Sequence, residues 1–205
     1  AFPIKGVIWY QGEANVGRSE QYGDLFPALI TDWRRQWRSD FPFYFVQLAN
    51  FMESKKIQPD SEWAALREAQ TKALKLDQVG MAVTIDIGLA DDIHPKNKQE
   101  VGRRLALVAL AGSYGKNVSS SAPVFQNYII KGNKMELDFG QKQDGFQIKG
   151  TTLKGFTIAG PDRVFYPAEA MVHDGKIILS STEVPAPLAA RYGWADNPDC
   201  NLYGE

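Results

Sequence analysis

The sequence is poor in the residues that build disulfide frameworks and metal sites, with one cysteine, Cys200, and two histidines among 205 residues. A single cysteine excludes an internal disulfide framework. The formal net charge is -1, so no excess of positive charge favours nucleic acid or an anionic membrane. No apolar run approaches the length of a membrane-spanning helix, and none resembles a signal peptide. We therefore expect neither a nucleic-acid partner nor a membrane partner.

Hydrophobic residues make up 44% of the chain and charged residues 23%, which is ordinary for a globular protein with a sizeable core. Its length predicts one or two domains at about 100–200 residues per domain. The chain opens at Ala1 and enters an apolar stretch within a few residues, and it closes at Glu205 directly after an aromatic segment. We expect it to be part of a longer polypeptide.

Strands alternate with helices in the first half of the chain. Apolar runs predict strands at 4–10, 43–48 and 81–85, and helical periodicity predicts helices at about 18–38, after Ser61, and at about 97–114. Ser19 and Ser61 are the expected N-caps. This alternation predicts an α/β domain over residues 1–121, with a parallel sheet and flanking helices. Roughly five or six strands are usual in such a sheet, so three strands also favour a partial domain.

The pattern changes at residue 122, after a Ser-rich linker at 119–123. Short apolar stretches now alternate with turn signals, which predicts an antiparallel, sandwich-like β region over 122–205. The Asp174-Gly175 pair is a strong signal for a two-residue hairpin. The turn signals are Lys131-Gly-Asn133, Gln143-Asp-Gly145, Lys149-Gly150 and His173-Asp-Gly175.

Polar side chains follow each predicted strand of the first half. Because ligands gather at the carboxyl ends of parallel strands, we expect these side chains to share one edge of the sheet. The groups are Gln11, Gly12, Glu13 and Asn15 after the first strand, Gln47 and Asn50 after the second, and Asp86, Asp91, Asp92 and His94 after the third.

A carboxylate three residues before an imidazole can fix the tautomer of that imidazole and free its other nitrogen to act as a base. Asp91 and His94 have this spacing. The side-chain amides of Gln11 and Asn15, with the backbone N–H groups beside Gly12, are suited to binding an oxyanion. Each residue also has a structural interpretation, since aspartates cap helices and glycine makes tight turns. The expected position of both clusters on one edge of the sheet favours the functional interpretation.

Two further interpretations remain open for these residues. Carboxylates with one imidazole suit Mg or Mn, so Glu13, Asp91, Asp92 and His94 are an alternative metal site, although the amides would then have no task. His173 falls in a predicted turn and is expected at the surface. The tryptophans at 33, 37 and 63 recur at helical spacing and are expected in the core.

The segment Ile8-Trp-Tyr-Gln-Gly-Glu-Ala-Asn15, together with Asp91-Asp-Ile-His-Pro95, resembles the sialate O-acetylesterases. These enzymes belong to the SGNH (GDSL-like) hydrolases, so the resemblance implies part of a flavodoxin-like sheet. The segments 155–160 and 191–194 resemble the C-terminal β region of the same family. The resemblance therefore spans most of the chain.

The resemblance implies a serine esterase that removes acetyl groups from an O-acetylated sugar, such as a 9-O-acetylated sialate, without a metal or cofactor. His94 would be the general base, with Asp91, or alternatively Asp92, as its orienting carboxylate. Gln11 and Asn15 would hold the oxyanion, and Gly12, Glu13 and Asp92 would lie on the substrate side. The implied location is periplasmic, extracellular or, in a eukaryote, lysosomal.

The chain departs from the family at the nucleophile. The expected Gly-Gln-Ser-Asn block is absent, and neither Ser19 nor Ser54 has the glycine-flanked turn that an exposed nucleophile needs. We expect the serine on an N-terminal segment of the same enzyme, which would make this chain inactive alone. The competing hypotheses are a non-catalytic carbohydrate-binding module that uses the aromatic residues of the β half, and a metal-dependent hydrolase. Within the esterase hypothesis, Arg191 is a candidate for pairing with a sugar carboxylate, and a structural salt bridge is the alternative for this residue.

Overall fold

The computed structural model describes residues 3–57, 60–120, 122–140 and 145–204. The chain divides into two compact units, one formed by residues 1–53 and 61–121 and the other by 54–60 and 122–205. Ser121 of the predicted linker, and Gln143 and Asp144 of one predicted turn, lie outside the described residues.

The first unit contains a parallel three-stranded sheet with flanking helices, which confirms the predicted α/β architecture. The strands lie in the order β1-β2-β3, with Val7 beside Phe43 and Phe43 beside Val79. The elements are β1 (Val7–Trp9), α1 (Ser19–Trp37), β2 (Phe43–Val46), α2 (Glu62–Thr71), β3 (Val79–Ala82) and α3 (Lys98–Gly112).

Two local predictions in this unit were wrong. The third strand begins at Val79, because Gln78 turns with φ 55° and its carbonyl accepts a hydrogen bond from the N–H of Phe43 at 2.9 Å. Ser19 is not an N-cap, since the N–H of Tyr22 already bonds to the Arg18 carbonyl at 3.0 Å and the helix begins one residue earlier. The cap at Ser61 is confirmed by its side-chain oxygen, which accepts the Ala64 N–H at 2.9 Å.

Aromatic and aliphatic side chains fill the space between the sheet and helices α1 and α2. Phe26 packs edge-on against Phe43 and Phe45 of the central strand, both fully buried. Each such burial contributes about 1.5–3 kcal/mol. The prediction of core tryptophans holds for Trp63, which is buried and donates to the Ala49 carbonyl at 2.7 Å. Trp37 is 48% exposed, because it lies in the last turn of α1.

The second unit is made of antiparallel strands, as predicted. One sheet has the order β4-β5-β10-β9, another β11-β7-β8, and a two-stranded sheet pairs β12 with β6. The strands are β4 (Asn127–Lys131), β5 (Lys134–Asp138), β6 (Gln147–Ile148), β7 (Phe156–Ala159), β8 (Phe165–Pro167), β9 (Glu169–His173), β10 (Lys176–Ser180), β11 (Ala189–Tyr192) and β12 (Leu202–Tyr203).

The hairpin between β9 and β10 is confirmed. His173 pairs with Lys176, and the two turn residues have positive φ, 49° at Asp174 and 71° at Gly175, which is the signature of a type I′ turn. The two larger sheets share one core, to which β5, β10 and β7 contribute Met135, Leu137, Ile177, Leu179, Phe156 and Ile158. Among the described residues, no helix combines the length and apolarity needed to cross a bilayer.

Candidate active site

The loop after β1 presents the amide cluster predicted from the sequence. Gly12 has φ 152° and precedes a short 3₁₀ turn over Glu13–Asn15, in which the N–H of Asn15 donates to the Gly12 carbonyl at 2.8 Å. This turn brings the side chain of Asn15 back to Gln11, whose Nε2 donates to the Asn15 Oδ1 at 2.7 Å. Gly12 is buried, and a Cβ there would lie 3.2 Å from the Gln70 Nε2.

Gln11 is fixed by two residues that sequence reasoning did not single out as functional. The hydroxyl of Tyr22, in α1, donates to the Gln11 Oε1 at 3.1 Å. The Nε2 of Gln70, in α2, donates to the Gln11 backbone carbonyl at 3.2 Å. With its Oε1 accepting and one Nε2 hydrogen donated to Asn15, Gln11 keeps a second amide N–H for which the described residues provide no acceptor.

Gln70 also anchors the end of the central strand, since its Oε1 accepts the Leu48 N–H at 2.9 Å. Gln70 is 1% exposed, and apart from Arg67 the other buried residues of α2 are apolar. A buried glutamine must satisfy both its donor and its acceptor. A glutamine inside the apolar stripe of a predicted helix was the signal that could have identified it.

The loops after β2 and β3 are joined at the same edge of the sheet. The Asn50 Oδ1 accepts the Gly88 N–H at 2.6 Å, and the approach leaves no room for a Cβ on Gly88. One residue further along each loop, Phe51 and Leu89 form a parallel bridge. The Thr84 hydroxyl donates to the Gln47 carbonyl at 2.6 Å. The predicted convergence of these two loops is therefore observed.

His94 lies in the loop between β3 and α3, with its side chain 83% exposed. The Oδ1 of Asp92 accepts the backbone N–H of His94 at 2.9 Å and lies 3.5 Å from the His94 Nδ1. The longer distance exceeds that of a normal hydrogen bond. First the backbone N–H of His94, and then the positive charge of Lys96, lower the pKa of Asp92.

The predicted pair between Asp91 and His94 is not formed in the structure. Asp91 is exposed, and it makes no hydrogen bond or ion pair within the described part of the chain. The physical reason is that Asp92, not Asp91, closes the turn onto the His94 backbone. The role of Asp91 as the orienting carboxylate stays a prediction.

The loop after β1 and the loop after β3 approach each other through Tyr10 and Lys98. The Lys98 Nζ lies 5.0 Å from the centre of the Tyr10 ring, which places the start of α3 beside the residue before Gln11. Ile93, the neighbour of His94, packs on the same core cluster as Trp9 and Tyr10. These contacts put both loops at the carboxyl edge of one sheet. A direct approach of His94 to Gln11 stays a prediction.

Glu13 is half-buried, and its carboxylate makes no hydrogen bond or ion pair within the ranges described. Burial and, next, the negative charge of Glu13 raise the pKa of Tyr10 to about 12. Tyr10 is therefore a neutral phenol at physiological pH, and it can donate a hydrogen bond but cannot serve as an anionic base.

An ion-pair network holds α3 against the end of β3. Arg104 donates to both oxygens of Asp86, at 2.5 and 2.9 Å, and to the Val83 carbonyl at 2.7 Å. The same guanidinium bonds to Glu100 at 2.8 Å. Asp86, predicted from the sequence to lie at the site edge, is therefore paired, and it fixes the base of the loop that carries His94.

The remaining candidates lie elsewhere in the chain. Ser19 is the first residue of α1, and Ser54 is exposed. His173 is exposed at the end of β9, as expected. The guanidinium of Arg191 stacks on the rings of Phe165 and Trp194, at 3.9 and 4.4 Å from their centres. Within the described ranges, no group of three His, Cys, Asp or Glu side chains could hold a metal ion.

The profile of one protein family matches residues 1–111, and its description is "Carbohydrate esterase, sialic acid-specific acetylesterase". The mouse sialate O-acetylesterase is 39% identical over an alignment of 229 positions, covering 98% of this chain and 42% of the mouse protein. The human sialate O-acetylesterase is 37% identical over an alignment of 176 positions, covering 76% of this chain and 33% of the human protein.

A solved structure is similar over the whole chain. The crystal structure of a carbohydrate acetylesterase from Xanthomonas citri superposes with a TM-score of 0.92 at 44% identity, covering 100% of this chain and 48% of the bacterial one. The chain thus spans about half the length of this protein and of the mouse enzyme.

Proposed function

The chain belongs to the family of sialic acid-specific carbohydrate acetylesterases, and we propose that it carries the acid–base and oxyanion-binding half of such an esterase. The substrate would be an O-acetylated sugar, with O-acetylated sialic acid suggested by the names of the relatives. The observation that carries the proposal is the fixed amide of Gln11, held by Tyr22 and Asn15 at the sheet edge that also bears His94. A periplasmic, extracellular or lysosomal location is also a proposal.

The amide of Gln11 is suited to stabilise the negative charge that develops when an ester carbonyl is attacked. Its unused Nε2 hydrogen can donate to an oxyanion without reorientation of the amide. The amide is held in place because its Oε1 already accepts from Tyr22 and its other Nε2 hydrogen already donates to Asn15. Asn15 adds a second amide beside it. Gly12 allows the close backbone approach on which this arrangement depends.

His94 would act as the general base in each half-reaction. It takes the proton from a serine hydroxyl as the serine oxygen bonds to the acetyl carbon, and returns that proton to the sugar oxygen as the ester C–O bond breaks. It then takes a proton from water as the water oxygen bonds to the acetyl carbon, and returns that proton to the serine oxygen as the bond between serine and the acetyl carbon breaks and acetate leaves. Asp91 is the proposed orienting carboxylate, and Glu13 and Asp92 lie on the substrate side.

The nucleophilic serine is proposed to lie outside these 205 residues, since neither Ser19 nor Ser54 lies in a glycine-flanked turn. This chain alone should therefore not hydrolyse 4-nitrophenyl acetate above the rate of its own His94→Ala variant. Hydrolysis by the isolated chain that depends on His94 would show that the nucleophile is already present.

The central experiment replaces His94 with alanine in the enzyme that joins these residues to the segment carrying the nucleophile. Loss of a triad base should lower kcat for 4-nitrophenyl acetate and for O-acetylated sialic acid by about 10⁴-fold or more. His173→Ala, which removes the other, exposed histidine, is the matched control and should retain activity. Activity of the His94 variant within about tenfold of the parent would refute the proposed base.

A further inference from the structure

One edge of the β-rich unit leaves part of its core uncovered. Tyr128 of β4 pairs with Leu137 of β5, and Ile130 pairs with Met135, so the four side chains lie on one face of the sheet. Leu137 and Met135 are 5% and 1% exposed, whereas Tyr128 and Ile130 are 50% and 41% exposed. The same face is therefore covered beneath β5 and open beneath β4.

The other sheet of this core, β11-β7-β8, has three strands, one fewer than the sheet that contains β4. It ends at β11 (Ala189–Tyr192), and among the described strands none pairs with the outer side of β11 or of β4. A cavity of about 530 Å³ lies at this position, and its walls are mostly apolar. Phe125, Phe139 and Leu188 belong to its lining.

The cavity follows the free edge of β11. Five consecutive residues, 188–192, line it, and since neighbouring side chains of a strand point to opposite faces, only the edge of the strand can present all of them. The N–H of Gly193 bonds to the Gly155 carbonyl at 2.9 Å on the paired side. On the other side of β7, the Phe156 carbonyl accepts the Ala168 N–H of the β8 side at 3.0 Å, so Thr157 faces β11 and its partner Arg191 faces β7. Ala190 and Tyr192 therefore turn their N–H groups outward. The alternation ends at Leu188, whose N–H also bonds inward, to the Ala159 carbonyl at 2.8 Å.

We propose that this gap receives an added β-strand, which pairs with the outer edge of β11 and covers Tyr128 and Ile130. The occupant is an extended segment with alternating apolar side chains, from the part of the family's polypeptide that this chain does not match. The bacterial structure matches this chain over its full length and has about as much sequence again outside the match. Unpaired backbone donors beside an apolar channel are what strand addition requires.

The added strand would cover the exposed apolar side chains of β4 and also pair with the outward N–H groups of β11. Five residues of extended chain span about 17 Å, which suits the length of β4 and β11. Alternate side chains would fill the cavity while the backbone pairs with Ala190 and Tyr192. The proposal rests on the geometry of the β-rich unit and does not depend on esterase activity.

Amide hydrogen exchange tests the pairing directly. The two samples are this chain alone and a chimera in which it replaces the matching half of the Xanthomonas citri acetylesterase. The amides of Ala190 and Tyr192 should exchange at least about tenfold more slowly in the chimera, while Gly193, already bonded, should change less. Equal exchange at Ala190 and Tyr192 in the two samples would overturn the proposal.

Should the chimera not fold, the positions of the intact bacterial enzyme that match Ala190 and Tyr192 provide the same measurement. Protection of those two amides supports an added strand, and exchange as fast as in exposed loops contradicts it.

Side-chain variants test the apolar contact and the identity of the occupant. Tyr128→Lys should lower the Tm of the chimera and leave that of the chain alone unchanged. Met171→Lys is the matched control, since Met171 is 58% exposed on β9, the opposite edge strand, and it should change neither Tm. If the chain alone forms a dimer in sedimentation experiments that Tyr128→Lys abolishes, a second copy occupies the gap and the proposal is wrong.

Discussion

The hydroxyl of Tyr22 donates a hydrogen bond of 3.1 Å to the side-chain oxygen of Gln11. In this contact the oxygen end of the Gln11 amide is the acceptor, because an amide nitrogen cannot accept the phenol proton. The Nε2 of Gln11 then points to Asn15. A residue buried in the first helix thereby sets the orientation of an amide in the candidate active site.

Tyr22→Phe tests this orientation. The variant removes one neutral hydrogen bond worth about 1 kcal/mol, so kcat of the complete enzyme for 4-nitrophenyl acetate should fall about five- to tenfold with little change in KM. Tyr44→Phe is the matched control, since its hydroxyl bonds to Ser113 at 2.7 Å outside the amide cluster. It should cost similar stability and leave kcat unchanged, and equal kcat losses in both variants would count against a positioning role.

Asn substitutions separate the roles of Asp91 and Asp92. Asp92→Asn keeps an oxygen that can accept the His94 N–H, so the loop should persist and activity should fall less than tenfold. Asp91→Asn removes the proposed orienting charge and should lower kcat by about 10⁴-fold with an unchanged KM. Both variants are measured as kcat against pH. A larger loss of kcat in Asp92→Asn than in Asp91→Asn would make Asp92 the partner of His94.

The Glu100 network predicts a specific loss of stability in acid. Arg103 first, and then Arg104, donate hydrogen bonds that lower the pKa of Glu100 from 4.5 to about 2. A depressed folded-state pKa contributes stability above pH 4.5 that is lost as the pH falls towards 2. Tm, measured between pH 6 and pH 2, should therefore fall less steeply in Glu100→Gln than in the parent.

Glu68→Gln, at an exposed carboxylate of α2, is the control for that titration and should follow the parent curve. An unchanged slope in Glu100→Gln would mean that the ion pairs with Arg103 and Arg104 do not contribute to folding.

Two glycine-to-alanine variants should change stability in opposite directions. At Gly12, φ is 152° and a Cβ would lie 3.3 Å from the Leu48 Cδ2, so Gly12→Ala should destabilise the fold by about 1–3 kcal/mol. Gly102 lies within α3 with open space around its Cβ position, and Gly102→Ala should stabilise the fold by about 1 kcal/mol. Urea unfolding measures both, and a stabilised Gly12→Ala variant would contradict the described loop.

The parallel sheet and the loops at its carboxyl edge could be predicted because their signals are local. A buried strand such as Phe43–Val46 is a short apolar run, and the amide cluster at Gln11 follows its strand within two residues. The contacts of Gln11 with Tyr22 and Gln70 could not be predicted, because they join residues 11 and 59 positions away. Their formation depends on which face each helix turns towards the sheet.

The sequence by itself determined the alternation of strands and helices, the change to antiparallel strands and the chemistry grouped at one sheet edge. These follow from periodicity and from the fixed geometry of parallel strands. Only the tertiary structure decided that Tyr22 and Gln70 hold Gln11, that Asp92 closes onto the His94 backbone, and that no other described strand pairs with the outer edges of β4 and β11. Each of these depends on how segments that are distant in sequence pack together. A pattern along the sequence does not give the spatial distances between such segments.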